Sequence, residues 1–300
     1  MISNLMIVII NLDLKDDTIA LIQSLIQAGA KPEQIIVIDN GSTDDSVLAL
    51  RGAFDDRLIL VENRQNLGFT GGNNLGFDMA SRMGAEWVLL LNNDTLVAAD
   101  FFDQFEQAIK IDPSYHILSP VIFYHSKPDV IWHMGSRIIP GTLLARNLYH
   151  GKNMPKNVPL LLPVDFISGC AMFIHNEVYE KIGLFDPAFF IYWEEVDFCY
   201  RARRAGYQLA VITRAKMWHK ISSTTNKDLR HYLNTRNMIY YTRKHASGVQ
   251  KPIMRIYLLY RLVYTIIESF ISNKRSLIRP ILNGWRDGWR NPTSEKQPEL

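Results

Sequence analysis

Residues 89–95 read Leu89-Leu90-Leu91-Asn92-Asn93-Asp94-Thr95. A wholly apolar run stops abruptly at two amides and a carboxylate. A parallel strand covered on both faces reads as a continuous apolar run, and open α/β sheets bind ligands at the carboxyl ends of their strands. The stretch therefore predicts a buried strand over 87–91 that delivers a polar cluster to the sheet rim. A single carboxylate among oxygen-bearing neighbours suits a divalent cation that holds a diphosphate. A strand end followed by a helix cap would use the same residue types.

Working outward, residues 5–10 and 35–39 are two more apolar runs, and 58–61 is a third. Between them, 16–28, 44–51 and 73–83 carry helical spacing, with stops at Gly29 and Gly84; a fourth helix, 100–110, ends at Asp112-Pro113. Strand and helix alternate four times with short links. That pattern predicts an α/β fold with a doubly wound, mostly parallel sheet. From 117 to 174 the pattern changes. Pro120, Pro128, Pro140, Pro155, Pro159 and Pro163 predict irregular loops around a few mixed or antiparallel strands. Residues 194–205 then read as a helix closed by Gly206, and 208–213 as a strand. The polar end, 291–300, reads as a disordered tail.

The chain has 300 residues and is 47% hydrophobic, enough for a sizeable core. Its two cysteines, Cys170 and Cys199, make no disulfide framework, so a reducing, cytoplasmic setting is expected. The start lacks a basic segment before its short apolar run and reads as a core strand, not a signal peptide. The formal net charge of +3 hides an asymmetry: residues 1–200 carry 13 Lys and Arg against 25 Asp and Glu, whereas 201–290 carry 19 against 3. An acidic front and a basic back imply two surfaces with different partners.

Four segments carry chemistry. Asp39-Asn40-Gly41-Ser42-Thr43-Asp44 follows the second strand. A carboxylate there can accept from a base N–H or a ribose hydroxyl, although a turn and a helix cap need the same residues. Asn66-Leu67-Gly68-Phe69-Thr70-Gly71-Gly72-Asn73-Asn74 is a glycine-rich loop feeding a helix, where backbone N–H groups attract phosphate. It is neither G-x-G-x-x-G nor a P-loop, so redox and kinase classes lose their main support. Phe189-Phe190-Ile191-Tyr192-Trp193-Glu194-Glu195-Val196-Asp197 is an aromatic run ending in three acids in a helix's first turn. A carboxylate beside aromatic walls suits a general base for a hydroxyl nucleophile. His219, just after the 208–213 strand, can complete a metal site with Asp94.

Taken in order from Met6 to Lys220, these segments resemble the inverting glycosyltransferases of family 2, which have the GT-A fold. Gly183-Leu184-Phe185-Asp186 and the continuation through Arg201, Arg204, Ala205 and Gly206 belong to the same ordered set. Tyr232-Leu233-Asn234-Thr235-Arg236-Asn237-Met238 points to the rhamnosyltransferase-like subgroup that builds surface polysaccharides. The resemblance implies roles. Asp39, with Asn11 beside it, contacts the nucleotide base, and Asn40, Gly68, Asn73, Asn92 and Asn93 belong to the nucleotide-sugar site. Asn92-Asn93-Asp94 stands at the family's D-x-D position, with Asp94 as the metal-binding acid and an uncharged amide at Asn92. His219 matches a histidine that ligates metal in some relatives. Mg2+ or Mn2+ is the implied cofactor. Glu195 matches the catalytic base, one methylene longer than the usual Asp, with Glu194 and Asp197 as neighbours able to share the role. Trp193 stacks on a sugar, and Arg201 and Arg204 meet phosphate or solvent.

The implied partners are a nucleotide-diphosphate sugar and a glycan or lipid-linked acceptor. Residues 1–225 would form the GT-A catalytic domain and 226–290 a basic, amphipathic helical extension. Within it the run 253–267 is interrupted by Arg255 and Arg261 and is too short to span a bilayer. A helix lying in the headgroup region of the inner face fits, as does one packed on the catalytic domain or in an oligomer. No nucleic acid is expected, because the aromatics fall in an apolar helix and form no stacking platform. Two rivals stand beside the transferase reading. A nucleotidyltransferase would want a glycine- and arginine-rich triphosphate loop near the start, and a non-catalytic nucleotide-sugar-binding scaffold would not need both Asp94 and Glu195.

Overall fold

The computed structural model describes residues 2, 4–221 and 226–290. The 291–300 segment, expected to be disordered, lies outside these. The first half alternates as expected: β1 (Leu5–Asn11), α1 (Lys15–Gln27), β2 (Ile35–Asp39), α2 (Ser46–Phe54), β3 (Ile59–Glu62), α3 (Gly68–Arg82) and β4 (Trp87–Asn92). Then come β5 (Thr95–Val97), α4 (Phe101–Ile111), β6 (Tyr115–Tyr124), β7 (Lys127–His133), β8 (Ser136–Ile138), β9 (Ala145–Asn147), β10 (Leu161–Val164) and β11 (Ala171–His175). The chain continues with α5 (Asn176–Ile182), α6 (Glu194–Arg204), β12 (Gln208–His219), α7 (Lys227–His245), α8 (Gln250–Ile271) and α9 (Ile278–Gly288).

The main sheet runs in the order β10-β12-β6-β11-β4-β1-β2-β3. Strands β3, β2, β1 and β4 are parallel, and β11 enters antiparallel beside β4. Connections leave β1 toward β2 on one side and reach β4 on the other. That switch point opens a crevice at the carboxyl ends, where Asn11, Asp39 and Asn92 sit. Alternate residues of the central strands feed two apolar layers. Ile7, Ile9, Leu89 and Leu91 pack with Leu21 and Leu25 of α1 and Phe101 and Phe105 of α4. Val8, Val88 and Leu90 pack with Phe77 and Ala80 of α3 and Phe198 and Ala202 of α6. Burial on both faces is why these strands are apolar throughout.

Three local expectations are corrected. Helix α3 begins at Gly68, so Gly71 and Gly72 lie within it and not in a phosphate-binding loop, alongside Gly76, which the expected helix already contained. A Cβ on Gly76 would stand 2.2 Å from Val8 Cγ1, and one on Gly72 would stand 3.0 Å from Ile10 Cδ1. These glycines let the helix approach β1. Pro120 does not break β6, because a register shift against β12, from Ile212 opposite Pro120 to Lys216 opposite Val121, absorbs it. β12 extends past Thr213 to His219, which makes His219 a strand residue paired with Thr95.

Candidate active site

A cavity of about 850 Å³ lies at the strand ends. Ile10, Asn40, Asn92, Asn93, Asp94 and His219 form its sheet side. The opposite side comes from the C-terminal helices, through Arg230, Tyr232 and Asn234 of α7 and Pro280 and Asn283 of α9. Gly68, Phe69, Phe190 and Tyr192 complete the wall.

Strand pairing puts Asp94 and His219 together. Thr95 faces His219 across the β5–β12 ladder, and Lys220 N–H donates to the Asp94 carbonyl at 2.9 Å. The His219 Nε2 to Asp94 Oδ1 distance is 3.1 Å, and both residues are buried. Trp132 meets the His219 ring edge-on at 4.6 Å. Burial pushes the His219 imidazole down, but the neighbouring Cys170 and the Asp94 carboxylate outweigh it and lift it to about 10. Asn92 Oδ1 is buried with no hydrogen-bond partner among the described residues. One carboxylate, one imidazole and an unpartnered amide oxygen fit a divalent cation that draws its other ligands from phosphate and water. Binding a cation there must release the His219 proton.

Asn11 and Asp39 do not reach the cavity. Asn11 Nδ2 donates to Asp39 Oδ1 at 2.9 Å and to Ser42 Oγ at 3.0 Å; Thr18 Oγ1 and Asn93 Nδ2 donate back to Asn11 Oδ1. This network ties β1, β2, α1 and the Asn93 corner together behind the wall. Asn40 is in the wall, but its amide bridges β2 to the 63–68 loop through Asn66 Oδ1 and Gly68 O, accepting from Leu67 N–H and Asn63 Nδ2. Asn73 is also corrected: it is buried and donates back to Phe69 O at 2.9 Å inside α3.

The acidic helix start divides into two kinds of site. Glu194 and Glu195 stand one layer behind the cavity wall. The Phe69 ring, itself in the wall, and Glu195 Cβ both lie within 3.4 Å of where a Cβ on Gly169 would stand. The next residue, Cys170, accepts from Asn92 N–H at 3.0 Å, so one short loop links Glu195 to the Asn92–Asp94 corner. Glu194 Oε2 and Glu195 Oε2 are buried without partners among the described residues. Burial raises both carboxyls. Glu194, also facing the Glu195 charge, goes well above the usual glutamate range and holds its proton, while helix-start N–H groups and Glu194 restrain the rise at Glu195.

Asp197 is different and is removed from the acid–base set. It is fully buried, with Arg201 Nε at 2.7 Å on Oδ2 and His245 Nε2 at 2.6 Å and Lys244 Nζ at 2.8 Å on Oδ1. Burial opposes its ionisation, but the His245 hydrogen bond and the Arg201 and Lys244 charges outweigh it and hold the carboxyl at about 2. Arg201 does not line the cavity either; it also donates to the carbonyls of Ile182, Gly183 and Leu184. Trp193 packs on Tyr241 at 5.4 Å and leaves the wall to Tyr192.

The turn before this helix is strained. Phe190 has φ 66° and ψ −60°, and Ile191 N–H bonds Phe189 O at 2.8 Å, a γ-turn of the rare hand. Tyr192 and Trp193 follow with φ 71° and 77°. Three such bulky residues cost roughly 1–2 kcal/mol each. Six hydrogen bonds hold the turn's carbonyls: three from Asn237, two from Arg236 and one from Thr70 N–H. At about 1 kcal/mol apiece they offset the strain. Gly68, with φ 71°, is required here, because a Cβ would stand 2.5 Å from Phe190 O. Sequence reading missed Arg230, Tyr232 and Asn283 as wall residues. The 232–238 stretch was noticed for its subgroup likeness, without a role.

Residues 6–183 match the sequence model of a family described as glycosyl transferase family 2. The low-salt glycan biosynthesis hexosyltransferase Agl10 of Haloferax volcanii is 29% identical over 205 residues, 68% of this chain and 63% of that protein, so this chain spans under two thirds of its length. An N-acetylglucosaminyl-diphospho-decaprenol L-rhamnosyltransferase of Mycobacterium tuberculosis is 25% identical over 256 residues, 77% of this chain and 81% of that protein. Among solved structures, the mannosyltransferase PcManGT of Pyrobaculum calidifontis, in complex with GDP-Man and Mn2+, has a TM-score of 0.56 at 13% identity, over 96% of this chain and 88% of that one. GalNAc-T7 with UDP, GalNAc and Mn2+ has a TM-score of 0.59 at 15% identity, over 80% and 47% of the two chains. These two likenesses are of fold.

Proposed function

Because this chain belongs to glycosyl transferase family 2, we propose that it moves a sugar from a nucleotide-diphosphate donor to an acceptor hydroxyl with inversion at the anomeric carbon. Its GT-A fold is the one expected from the sequence. The observation that carries the reading is the meeting of Asn92, Asp94 and His219 in one cavity at the switch point of the sheet. The donor lies across the strand ends, with its diphosphate toward Asp94 and His219 and its nucleoside along the Asn40–Asn66 edge. Asp94 and His219, with Asn92 beside them, would hold Mg2+ or Mn2+, which would supply positive charge against the departing diphosphate.

Glu195 stands behind the Phe69 ring, so displacement of that ring is what admits its carboxylate to the cavity, where it accepts the proton of the acceptor hydroxyl while that oxygen bonds to the anomeric carbon. The bond from that carbon to the diphosphate oxygen breaks in the same displacement, and the nucleoside diphosphate leaves. A carboxylate raised by burial is a better base near neutral pH than an exposed one. The named activities of the relatives make a hexose or rhamnose the first donors to test and a lipid-linked glycan diphosphate the first acceptor.

The C-terminal helices support a membrane-surface acceptor. Ile256, Leu259, Val263, Ile267 and Phe270 of α8 are exposed, and residues 251–290 hold 8 Lys and Arg against 2 Asp and Glu. Among the described residues no helix is long and apolar enough to cross a membrane. An apolar stripe with a basic surround lies in the headgroup region of an anionic leaflet. A panel of nucleotide sugars with Mg2+ or Mn2+ tests the whole reading. Release of a nucleoside diphosphate from one class of donor, increased by a glycan acceptor, is expected; no release from any donor with either metal contradicts it.

A further inference from the structure

The turn at 188–193 is a single structural device held from outside the catalytic sheet. The carbonyls of Ala188, Phe189, Ile191 and Tyr192 accept from side chains of α7. The Asn237 side chain is fully buried. Its two N–H groups are shared among Phe189 O at 2.9 Å, Ile191 O at 2.9 Å and Tyr192 O at 2.8 Å. Arg236 donates through one nitrogen to Ala188 O at 3.0 Å and Phe189 O at 2.9 Å, and its Nε orients the Asn237 amide by donating to Oδ1 at 2.8 Å. From the other side, Thr70 N–H of α3 donates to Phe190 O at 3.0 Å. Successive carbonyls from 188 to 192 are thus all held, and the positive φ angles of Phe190, Tyr192 and Trp193 persist because the surroundings dictate them.

Both ends of this turn meet the proposed chemistry. Phe190 and Tyr192 form part of the cavity wall, and Glu194 and Glu195 begin the helix that follows directly. A backbone that flips at 190–193 therefore moves the wall and re-aims the acids together. We propose that Asn237, oriented by Arg236, is a positioning residue for the transfer reaction: it holds the aromatic turn in the one backbone conformation that sets Phe190 and Tyr192 into the cavity wall and aims the helix start that carries Glu195. The inference rests on the transferase reading for its chemical half only. It gives the basic C-terminal region a second task besides its outer surface. The helices beyond residue 226 lock the catalytic helix start in place.

The test uses the full chain and two variants. In Asn237→Ala, hydrogen exchange of the 189–196 amides should quicken about tenfold or more while β1 and β4 amides stay unchanged, since a sub-global opening exposes only the unit it frees. At saturating donor and acceptor, kcat per folded molecule should fall roughly 10- to 100-fold, the scale of a small misplacement of catalytic groups, with donor KM within about threefold. A residue that only stabilised the fold would lower Tm and leave kcat per folded molecule alone. Should Asn237→Ala fail to fold, Arg236→Lys keeps the charge but cannot reach two carbonyls and the amide at once. It should give the same pattern at roughly a third to a tenth of full turnover. Unchanged exchange at 189–196 in the folded variant overturns the clamp, whether or not a donor has been found. Quickened exchange with kcat within twofold of the parent overturns its part in the reaction. A parent chain inactive on every donor strikes the transferase reading, while exchange still decides the clamp.

Discussion

Replacing Asp197 by Asn should weaken the protein and spare its chemistry. The carboxylate is fully buried and is met by Arg201, Lys244 and His245 at 2.6 to 2.8 Å. Burial raises its pKa and these three groups lower it, and the net value falls from an ordinary 3.8 to about 2. That difference is worth about 2.5 kcal/mol of folding stability in the ionised form. Breaking a buried ion pair usually costs roughly 3–5 kcal/mol because the partner is stranded. Here the partners have other recourse. Lys244 keeps Asp186, and Arg201 keeps three carbonyls. The lower figure therefore governs. With an unfolding entropy of about 2.1 cal/mol/K per residue, a loss of about 2.5 kcal/mol lowers Tm by about 4 °C. The sign with pH follows from the depressed folded pKa. The stabilisation is complete above the unfolded value of 3.8 and fades as pH falls toward about 2, so the parent should lose its advantage over Asp197→Asn only in that acid window. Differential scanning calorimetry against pH, paired with turnover well below Tm, reads both halves. A variant with an unchanged Tm and turnover down a hundredfold or more would refute the structural assignment and return Asp197 to the chemistry.

Three further outcomes follow from the geometry. Gly68→Ala combines a positive φ with a Cβ 2.5 Å from Phe190 O, so it should cost at least about 2 kcal/mol and depress turnover by displacing the aromatic turn; unaltered denaturant midpoints would count against that packing. Asp94→Ala should abolish the Mg2+ or Mn2+ dependence of donor binding in titration calorimetry and leave the far-UV spectrum intact, whereas equal donor affinity with and without metal in the parent would argue against the site. Leu259→Glu with Val263→Glu places charge on the exposed face of α8 and should abolish co-flotation with anionic vesicles, and a parent chain that never floats would remove the membrane-surface reading.

Much of the fold was legible because burial on both faces makes a strand an unbroken apolar run. β1, β2 and β4 follow from that, β3 is a half-buried edge strand found as a short apolar run, and Asn92-Asn93-Asp94 stands at the end of β4 as expected. Other features failed for physical reasons. The glycines at 68, 71 and 72 look like a loop until Ile10 is seen to need the missing Cβ of Gly72. Pro120 looks like a breaker until the β6–β12 register shift appears. Asn11 and Asp39 satisfy one another, which no spacing along the chain reveals. Asp197 sits in the same helical turn as Glu195, and only the arrival of Lys244 and His245 from α7 separates their roles. The far wall from α7 and α9 and the Asn237 clamp are contacts across long sequence separations, invisible to local pattern.

The account turns on Glu195 as the acceptor of the nucleophile's proton, and Glu195→Gln tests it most directly. The amide keeps the size and the helix start but cannot take the proton. Transfer rate on the donor and acceptor found by screening, measured with donor affinity for the same preparation, should fall about 10²- to 10⁴-fold with affinity unchanged. The parent's activity should rise with pH through a value above the ordinary glutamate range, in keeping with the burial that raises this carboxyl. Near-full transfer by Glu195→Gln, with the same pH profile, would contradict the mechanism.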